Sequence, residues 1–402
     1  MKILKIIFFL FGLMPLLPFK YKSAGLVAGL IYGIYLILDQ NILKKIKFHK
    51  NFLYGYILFF IYLLSFFISE NKIFALKYLE TSLAFILFPS FFLLISGLNL
   101  NKTAWKKLEY IFYETYFISA IIYSILIFAY VYHLGYFHHR VTYDFSASYL
   151  SAYFWGFADH PIYSSMFLTM ALFFNFKLSK NKKIYHLIGT IIILSALFFL
   201  ARKGVILAGL IAVIFYVSKN FKPKIKYSLL TGIVITFIVL SIIFPENTAR
   251  FSEIFKKDTY SEKVDLSRST SIRFAIYNCS ADLIDSCGLL GIGIGDVKNA
   301  LNKCFIKKYP VLKDSQLNTH NVYFNILIGL GWIGFGYFLY YLYALFKIAL
   351  KNNDYFFAMI IVFFSIIFLF ENVLDRQNGV ILFNVLINLF TFKNTYFSNN
   401  NS

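Results

Sequence analysis

Apolar runs of about twenty residues, each closed by a short polar loop, recur along almost the whole chain, and a run of that length is what a helix needs to cross a bilayer's roughly 30 Å hydrocarbon layer. They lie near 3–19, 24–43, 52–69, 79–97, 110–132, 161–177, 184–200, 204–218, 227–244, 321–346, 355–371 and 378–392. One soluble core could not hide them, because 59% of the 402 residues are apolar and 50 of them are phenylalanine. In lipid every backbone polar group must be satisfied within the segment, which favours helices. The expected fold is an all-α polytopic integral membrane protein with about twelve transmembrane helices. The basic, apolar start MKILKIIFFLFG has the form of a signal peptide. Further spans follow at once, so it is read as an uncleaved first helix.

Charge sets the orientation. With the N-terminus in the cytoplasm, the inner loops become KKIKFHK (44–50), the lysines of 102–107, KLSKNKK (177–183), KNFKPKIK (219–226) and Lys347 to Lys351, as the positive-inside rule asks. The C-terminus is then cytoplasmic too. The formal charge of +20 is mostly a topology signal facing anionic membrane lipid, and no nucleic acid is needed to explain it. The inner segments carry 20 basic residues, all lysine, whereas Arg140, Arg202, Arg250, Arg268, Arg273 and Arg376 all fall on the outer side. A planar guanidinium grips phosphate or carboxylate with two parallel donors, which a point-like ammonium cannot do.

Two outer segments exceed a turn. Residues 133–160 hold His133, His138, His139, Arg140, Asp144, Asp159 and His160. Residues 245–320 form a long helical outer (periplasmic) loop bracketed by Pro245 and Pro310, with a polar stretch over 256–271. There, Ile272, Ile276, Cys279, Leu283 and Cys287 fall at helical spacing, as do Val297, Leu301, Cys304 and Phe305, predicting two amphipathic helices over the membrane mouth. The chain divides into helices over 1–132, the loop 133–160, helices over 161–244, the loop 245–320, and helices with a short tail over 321–402. All three cysteines, Cys279, Cys287 and Cys304, lie in the long loop. An oxidising compartment would permit one disulfide, and Cys304 with either partner is its only workable geometry; three buried free thiols are the favoured reading. GLLGIGIGD (288–296) lacks the Gly-Lys-Ser/Thr ending of a P-loop and follows no strand. It is read as a glycine turn joining the two helices, with free amides at the start of the second helix able to assist an anion.

Three motifs share an order, a spacing and the outer side: Ala201-Arg202-Lys203-Gly204 between two spans, Ser271-Ile272-Arg273 followed by GLLGIGIG, and His320-Asn321-Val322-Tyr323 at the start of a span. Together they resemble the O-antigen ligase and polymerase superfamily, with its Ser-Arg-Gly step, loop arginine and His-Asn-x-Tyr. The resemblance runs from about Asp159 to the last span and takes in DHPIYSSMF (159–167) and ENVLDRQNGV (371–380). The chain departs from the pattern at Ala201 and Lys203, and at Gly329, where many members carry glutamate. The resemblance implies a fold like that of C-type glycosyltransferases. It also implies a metal-independent, inverting enzyme without cofactor in the bacterial inner (cytoplasmic) membrane. Its donor would be an undecaprenyl-pyrophosphate-linked glycan and its acceptor the lipid A-core, for a ligase, or a growing glycan, for a polymerase.

The chemistry asks for residues of these types. A leaving diphosphate needs fixed cationic donors, the role expected of Arg202, Arg273, Arg376 and Arg140. An acceptor hydroxyl must lose a proton, which suits His320 as general base. Asn321, Tyr323, Lys203 and His160 are the expected supporting residues. A glycan flippase would set ionisable groups deep in its spans and show related halves. Here Glu80 and Glu114 stand near span ends. A peptidoglycan polymerase of the shape, elongation, division and sporulation family would need a catalytic outer carboxylate, and the sequence reading assigns none. This topology is open to test: a cysteine placed in 256–271 should react with a membrane-impermeant thiol reagent on intact spheroplasts. One placed in 219–226 should react only after the membrane is opened, and the reverse pattern would put the arginines in the wrong compartment.

Overall fold

The computed structural model describes residues 1–18, 21–133, 160–178, 184–223, 257–261, 263–313, 315 and 317–397, with a few scattered positions between 227 and 242. The helices are α1 (Lys2–Gly12), α2 (Ala24–Leu38), α3 (Leu53–Ile68), α4 (Lys72–Ser82), α5 (Ala84–Ser96), α6 (Lys102–His133), α7 (Pro161–Leu178), α8 (Ile184–Leu200) and α9 (Lys203–Asn220). Then come α10 (Ser269–Ile284), α11 (Val297–Lys308), α12 (Val322–Lys351), α13 (Tyr355–Ile367) and α14 (Gln377–Tyr396). No strand occurs among the described residues.

Five helical stretches are long and apolar enough to cross a membrane: Lys50–Ile68, Lys72–Ser96, Lys102–Tyr130, Lys203–Asn220 and Val322–Lys351. Ala24–Leu38, Ile184–Leu200 and Tyr355–Ile367 are shorter and equally apolar. Most of the run expected at 227–244 and nearly all of the loop 133–160 lie outside the described residues. Two of the ends that differ from expectation have a local cause. α1 stops at Gly12, just ahead of Pro15 and Pro18, where proline cannot donate to the helical ladder. α6 starts eight residues early and takes in lysines expected in a loop, because the Asn101 side chain caps it by accepting from the Ala104 amide at 2.7 Å.

The chain forms two compact units, Met1–Lys47 with Phe91–Thr248, and Phe48–Ser90 with Ala249–Ser402. In the first, Phe174 packs against Tyr113 and Tyr116, each with ring centroids 4.9 Å away, and Phe8 meets Trp105 edge-on. The ammonium of Lys22, 1% exposed, donates to the Met14 carbonyl at 2.9 Å and sits over the Phe167 ring. In the second, α14 is buried around nearly its whole circumference, the mark of a central helix. At one end of it, Asp354 caps α13 and accepts from Lys393 Nζ at 2.9 Å and Asn394 Nδ2 at 3.1 Å. Asn51 donates to Thr395 there at 3.0 Å, so three segments expected on the inner face meet.

α12 is not continuous. Gly331 takes φ 69° and ψ −172°, and the glycine turn docks into the break. The Ile292 and Gly293 amides donate to the carbonyls of Ile328 and Gly329 at 2.9 and 3.2 Å, while the Trp332 and Ile333 amides donate to Gly288 and Leu289 at 3.3 and 3.1 Å. The next two amides, of Ile294 and Gly295, donate to the hydroxyls of Ser65 and Ser69 on and just beyond α3. The turn's amides from Ile292 to Gly295 are therefore all paired within the fold. Asp296 closes the turn by accepting from the Glu70 and Asn71 amides at 2.7 and 2.8 Å. Close packing also accounts for the departure at Gly329, where a Cβ would lie 2.6 Å from the Ile294 side chain.

The two amphipathic helices form as spaced. Val297, Leu301 and Phe305 of α11 are buried, as are Ile276 and Cys279 of α10. The cysteine expectation needs correction: Cys279 and Cys304 form a disulfide with a Cα–Cα distance of 5.8 Å, leaving Cys287 as a buried free thiol. The packed faces of α10 and α11 bring those two Cα atoms within bridging range. The break gives a sharp stability test. A Cβ on Gly331 would lie 2.3 Å from the Leu289 carbonyl oxygen, so Gly331→Ala should destabilise the protein by at least about 2 kcal/mol in detergent melts. Nothing lies within 4 Å of a Cβ at Gly336, and Gly336→Ala should leave the melt unchanged or raise it slightly.

Candidate active site

The site gathers at the end of the second unit where α10, the start of α12 and the turn after α13 meet. His320 stands just ahead of α12 with φ 45°, a conformation that costs a non-glycine residue free energy and persists only when its surroundings impose it. Several contacts do so. The His320 amide donates to Asn318 Oδ1 at 3.1 Å, and the Val322 amide donates to the Phe368 carbonyl at 2.8 Å. The Tyr277 hydroxyl lies 2.9 Å from the Leu369 carbonyl and 3.3 Å from that of His320. Buried Thr319 donates to Asn372 Oδ1 at 3.0 Å.

The imidazole held this way meets Glu371, whose side chain is only 9% exposed. Nδ1 of His320 is 3.2 Å from both carboxylate oxygens. Arg273 Nη2 reaches the same carboxylate at 3.5 Å. A carboxylate can only accept, which assigns the proton to Nδ1 and leaves the Nε2 lone pair as the basic position. Tyr277, one turn after Arg273 on α10, is held as a neutral donor: burial pushes its phenol up, the Arg273 charge opposes this, and Glu371 adds to it.

A second carboxyl lies four residues on. Asp375 accepts from Asn325 Nδ2 at 3.0 Å, Asn372 Nδ2 at 2.9 Å and the Tyr78 hydroxyl at 3.2 Å. Burial pushes it up to about 7, against the pull of the Lys298 charge and the Asn372 and Tyr78 hydrogen bonds, with Glu371 adding to the rise. Burial in turn lowers the Lys298 ammonium, with Arg376 and Lys77 as further positive neighbours.

Of the expected site residues, the structure joins His320 and Arg273 through Glu371. Arg376 is exposed at the N-terminus of α14, on the edge of the Asp375 cluster. Asn321 serves as the cap of α12, its Oδ1 accepting from the Phe324 amide at 3.1 Å. Tyr323 does not join His320: its hydroxyl donates to the Ser365 carbonyl at 2.8 Å and its ring packs on Phe338 and Phe368. Arg202 and Lys203 lie in the first unit, at a sharp step between α8 and α9 made by Ala201 at φ 45°. His160, exposed in the same unit, accepts at Nδ1 from the Ile162 amide at 3.4 Å, at the start of α7. Arg140 lies outside the described residues.

Glu371, Asp375, Tyr277 and Asn325 are not among the residues expected from the sequence. A signal existed for the two acids: they sit in a short connection between apolar runs, in a chain with only 19 acidic residues, and carboxylates there are costly unless paired. Among the described residues, one cluster has the donor types of a metal site, Cys279, Asp282 and Cys304. Its two thiols are joined to each other.

Fold and site define a multi-pass helical membrane protein with histidine, carboxylate and arginine collected where its helices end. Residues 165–339 match the family model described as O-antigen ligase, which supports the resemblance to the O-antigen ligase-like superfamily over that stretch. No curated protein matches the chain. The matched stretch contains Arg202, the glycine turn, Arg273 and His320, and ends before Glu371 and Asp375.

The raised Asp375 carboxyl makes a pH prediction. A folded-state pKa above the unfolded value means that the fold takes up a proton, so this group's stabilisation is present at low pH and lost as pH rises through about 7. Between about pH 5 and about pH 8 the detergent melting temperature should fall relative to Asp375→Asn by on the order of a few degrees. Parallel profiles for the two proteins would show that Asp375 titrates normally.

Proposed function

We propose that the protein is an O-antigen ligase-like glycosyltransferase of the bacterial inner membrane. It moves an undecaprenyl-pyrophosphate-linked glycan onto a sugar hydroxyl of the lipid A-core at the periplasmic face. The observation that carries the reading is the sharing of one buried carboxylate, Glu371, by the His320 imidazole and the Arg273 guanidinium.

In this reading the acceptor oxygen attacks the anomeric carbon of the donor as its proton passes to His320 Nε2. The new glycosidic bond forms while the bond from that carbon to the pyrophosphate oxygen breaks, and attack from the opposite face inverts the anomeric centre. Glu371 keeps the imidazole in the correct tautomer and stabilises the imidazolium that forms, as a carboxylate behind a catalytic histidine does. Arg273 shares one edge with Glu371 and has further N–H donors for the departing undecaprenyl pyrophosphate, whose negative charge grows in the transition state. Arg376, in the same unit, is the proposed further cation of that anion site; for Arg202 and Arg140 the diphosphate-binding role, and for Lys203 and His160 the supporting role, rest on the family resemblance alone. No step needs a metal ion or cofactor. A polymerase would use the same groups with a growing glycan as acceptor.

Gene deletion followed by gel display of lipopolysaccharide separates the two. A ligase mutant shows core without long chains while lipid-linked polymer accumulates, and a polymerase mutant shows core with a single repeat. His320→Ala should insert normally and bind donor, yet transfer about 10²–10⁴-fold more slowly. Glu371→Gln should cost at least about tenfold, because an amide can present N–H to Nδ1 and disfavour the required tautomer. Full transfer by His320→Ala at wild-type protein levels would make the histidine an interfacial anchor.

A further inference from the structure

On the helix that carries Arg273 and Tyr277, and unused by the cluster around Glu371, a pocket of about 590 Å³ opens on the long loop, lined by Tyr260, Phe274, Asn278, Asp282, Lys308 and Tyr309. That volume is within the ~300–1,000 Å³ of small-molecule sites. Phe274, Asn278 and Asp282 recur every four residues along α10 and so share one stripe. The adjoining stripe carries Arg273 and Tyr277. The pocket therefore shares a helix with the groups that hold Glu371 and His320, and the Cys279–Cys304 disulfide ties that helix to α11, which ends at Lys308.

The lining selects a class of ligand. Tyr260 and Phe274 meet edge-on with ring centroids 5.6 Å apart, and Tyr309 adds a third, buried ring. The polar groups are matched among themselves: Asn278 Nδ2 donates to the Tyr309 hydroxyl at 2.9 Å, and Lys308 Nζ pairs with Asp282 at 2.6 Å. The formal charges of the lining cancel, so nothing in it favours a diphosphate. Aromatic faces beside alternating donors and acceptors suit a ligand that has C–H faces and a rim of hydroxyls, each able to give and to take a hydrogen bond.

We propose that this pocket is a saccharide subsite, which holds a sugar unit of the glycan at a distance from the reacting carbon and so aligns it with His320. The inference rests on the transferase reading above for its glycan, but its binding test does not depend on turnover. Binding energy gathered away from the reacting atoms orients the chain for attack. The sugar comes either from the donor polymer or from the acceptor core.

Saturation-transfer NMR on the full-length protein in detergent distinguishes these sources with two probes. One is lipid-free O-polysaccharide released by mild acid from the cell's own lipopolysaccharide; the other is core oligosaccharide freed of lipid A. Mild acid leaves the core attached to the polymer, so binding of the first probe alone identifies the donor polymer and binding of both identifies the core. Tyr260→Ala and Phe274→Ala should each weaken that binding about tenfold, while His320→Ala should leave it unchanged. Tyr260 is 43% exposed, so its variant keeps the fold even where Phe274→Ala does not. Undiminished binding by Tyr260→Ala overturns the subsite. So does silence from both probes in protein that still restores long-chain lipopolysaccharide to a deletion strain. Binding lost in Tyr260→Ala while the deletion strain keeps normal lipopolysaccharide supports the subsite and removes the ligase reading.

Discussion

A helix in lipid cannot leave backbone amides and carbonyls unpaired, and the break of α12 at Gly331 exposes several at once. The glycine turn 288–295 supplies their partners, donating to Ile328 and Gly329 and accepting from Trp332 and Ile333. Each exchanged bond is worth only about 1 kcal/mol net, yet each group left unmade in a buried place would cost about 1–3 kcal/mol. The turn is thereby fixed in register. Because it joins α10 to α11, the same bonds fix where those helices can begin and end. Ser65, Ser69 and Asp296 repeat the pattern on the other side of the turn, where the hydroxyls accept from its amides and the carboxylate holds the two amides ahead of α4.

Glu371 is governed by a related constraint. A carboxylate this far from water loses most of its solvation, and it stays charged only where cations or donors replace that water. His320 and Arg273 do so together. The arrangement stabilises the acid and, by the same contacts, orients the two groups that the proposed chemistry needs. Asp375 lies four residues on, among different partners. Its partners Asn325, Asn372 and Tyr78 are neutral, and burial outweighs the attraction of Lys298, so its carboxyl is held near neutrality.

Strain and capping place the histidine. His320 occupies a left-handed backbone conformation directly ahead of a helix that Asn321 caps. A cap is worth about 0.5–2 kcal/mol, comparable to the cost of the conformation it follows. The pair explains why a His-Asn step suits this edge: one residue starts the helix, which leaves the other projecting from its end. Tyr277 secures the arrangement from α10 by reaching carbonyls of both His320 and Leu369.

Much of this was legible in the sequence, for a definite reason. Length and apolarity of a run determine whether a helix can span lipid, and 3.6-residue spacing determines which face is buried, so the main helices and the buried sides of α10 and α11 could be read directly. The glycines as a turn follow from local chemistry as well, whereas Asn321, expected to support the site, turned out to be the cap of α12. The family resemblance located Arg273 and His320. What the sequence did not yield depends on pairs of residues far apart in the chain. Glu371 follows His320 by 51 positions and Arg273 by 98, and no local pattern says which charge a buried acid will meet. The Cys279–Cys304 bond likewise waited on how two helices pack, and the pairing of the turn's amides with α12 on a break that only the docked turn makes tolerable. Local spacing and hydrophobicity set the elements; the need to pair buried charge and buried backbone, which only the folded chain can meet, decided the site.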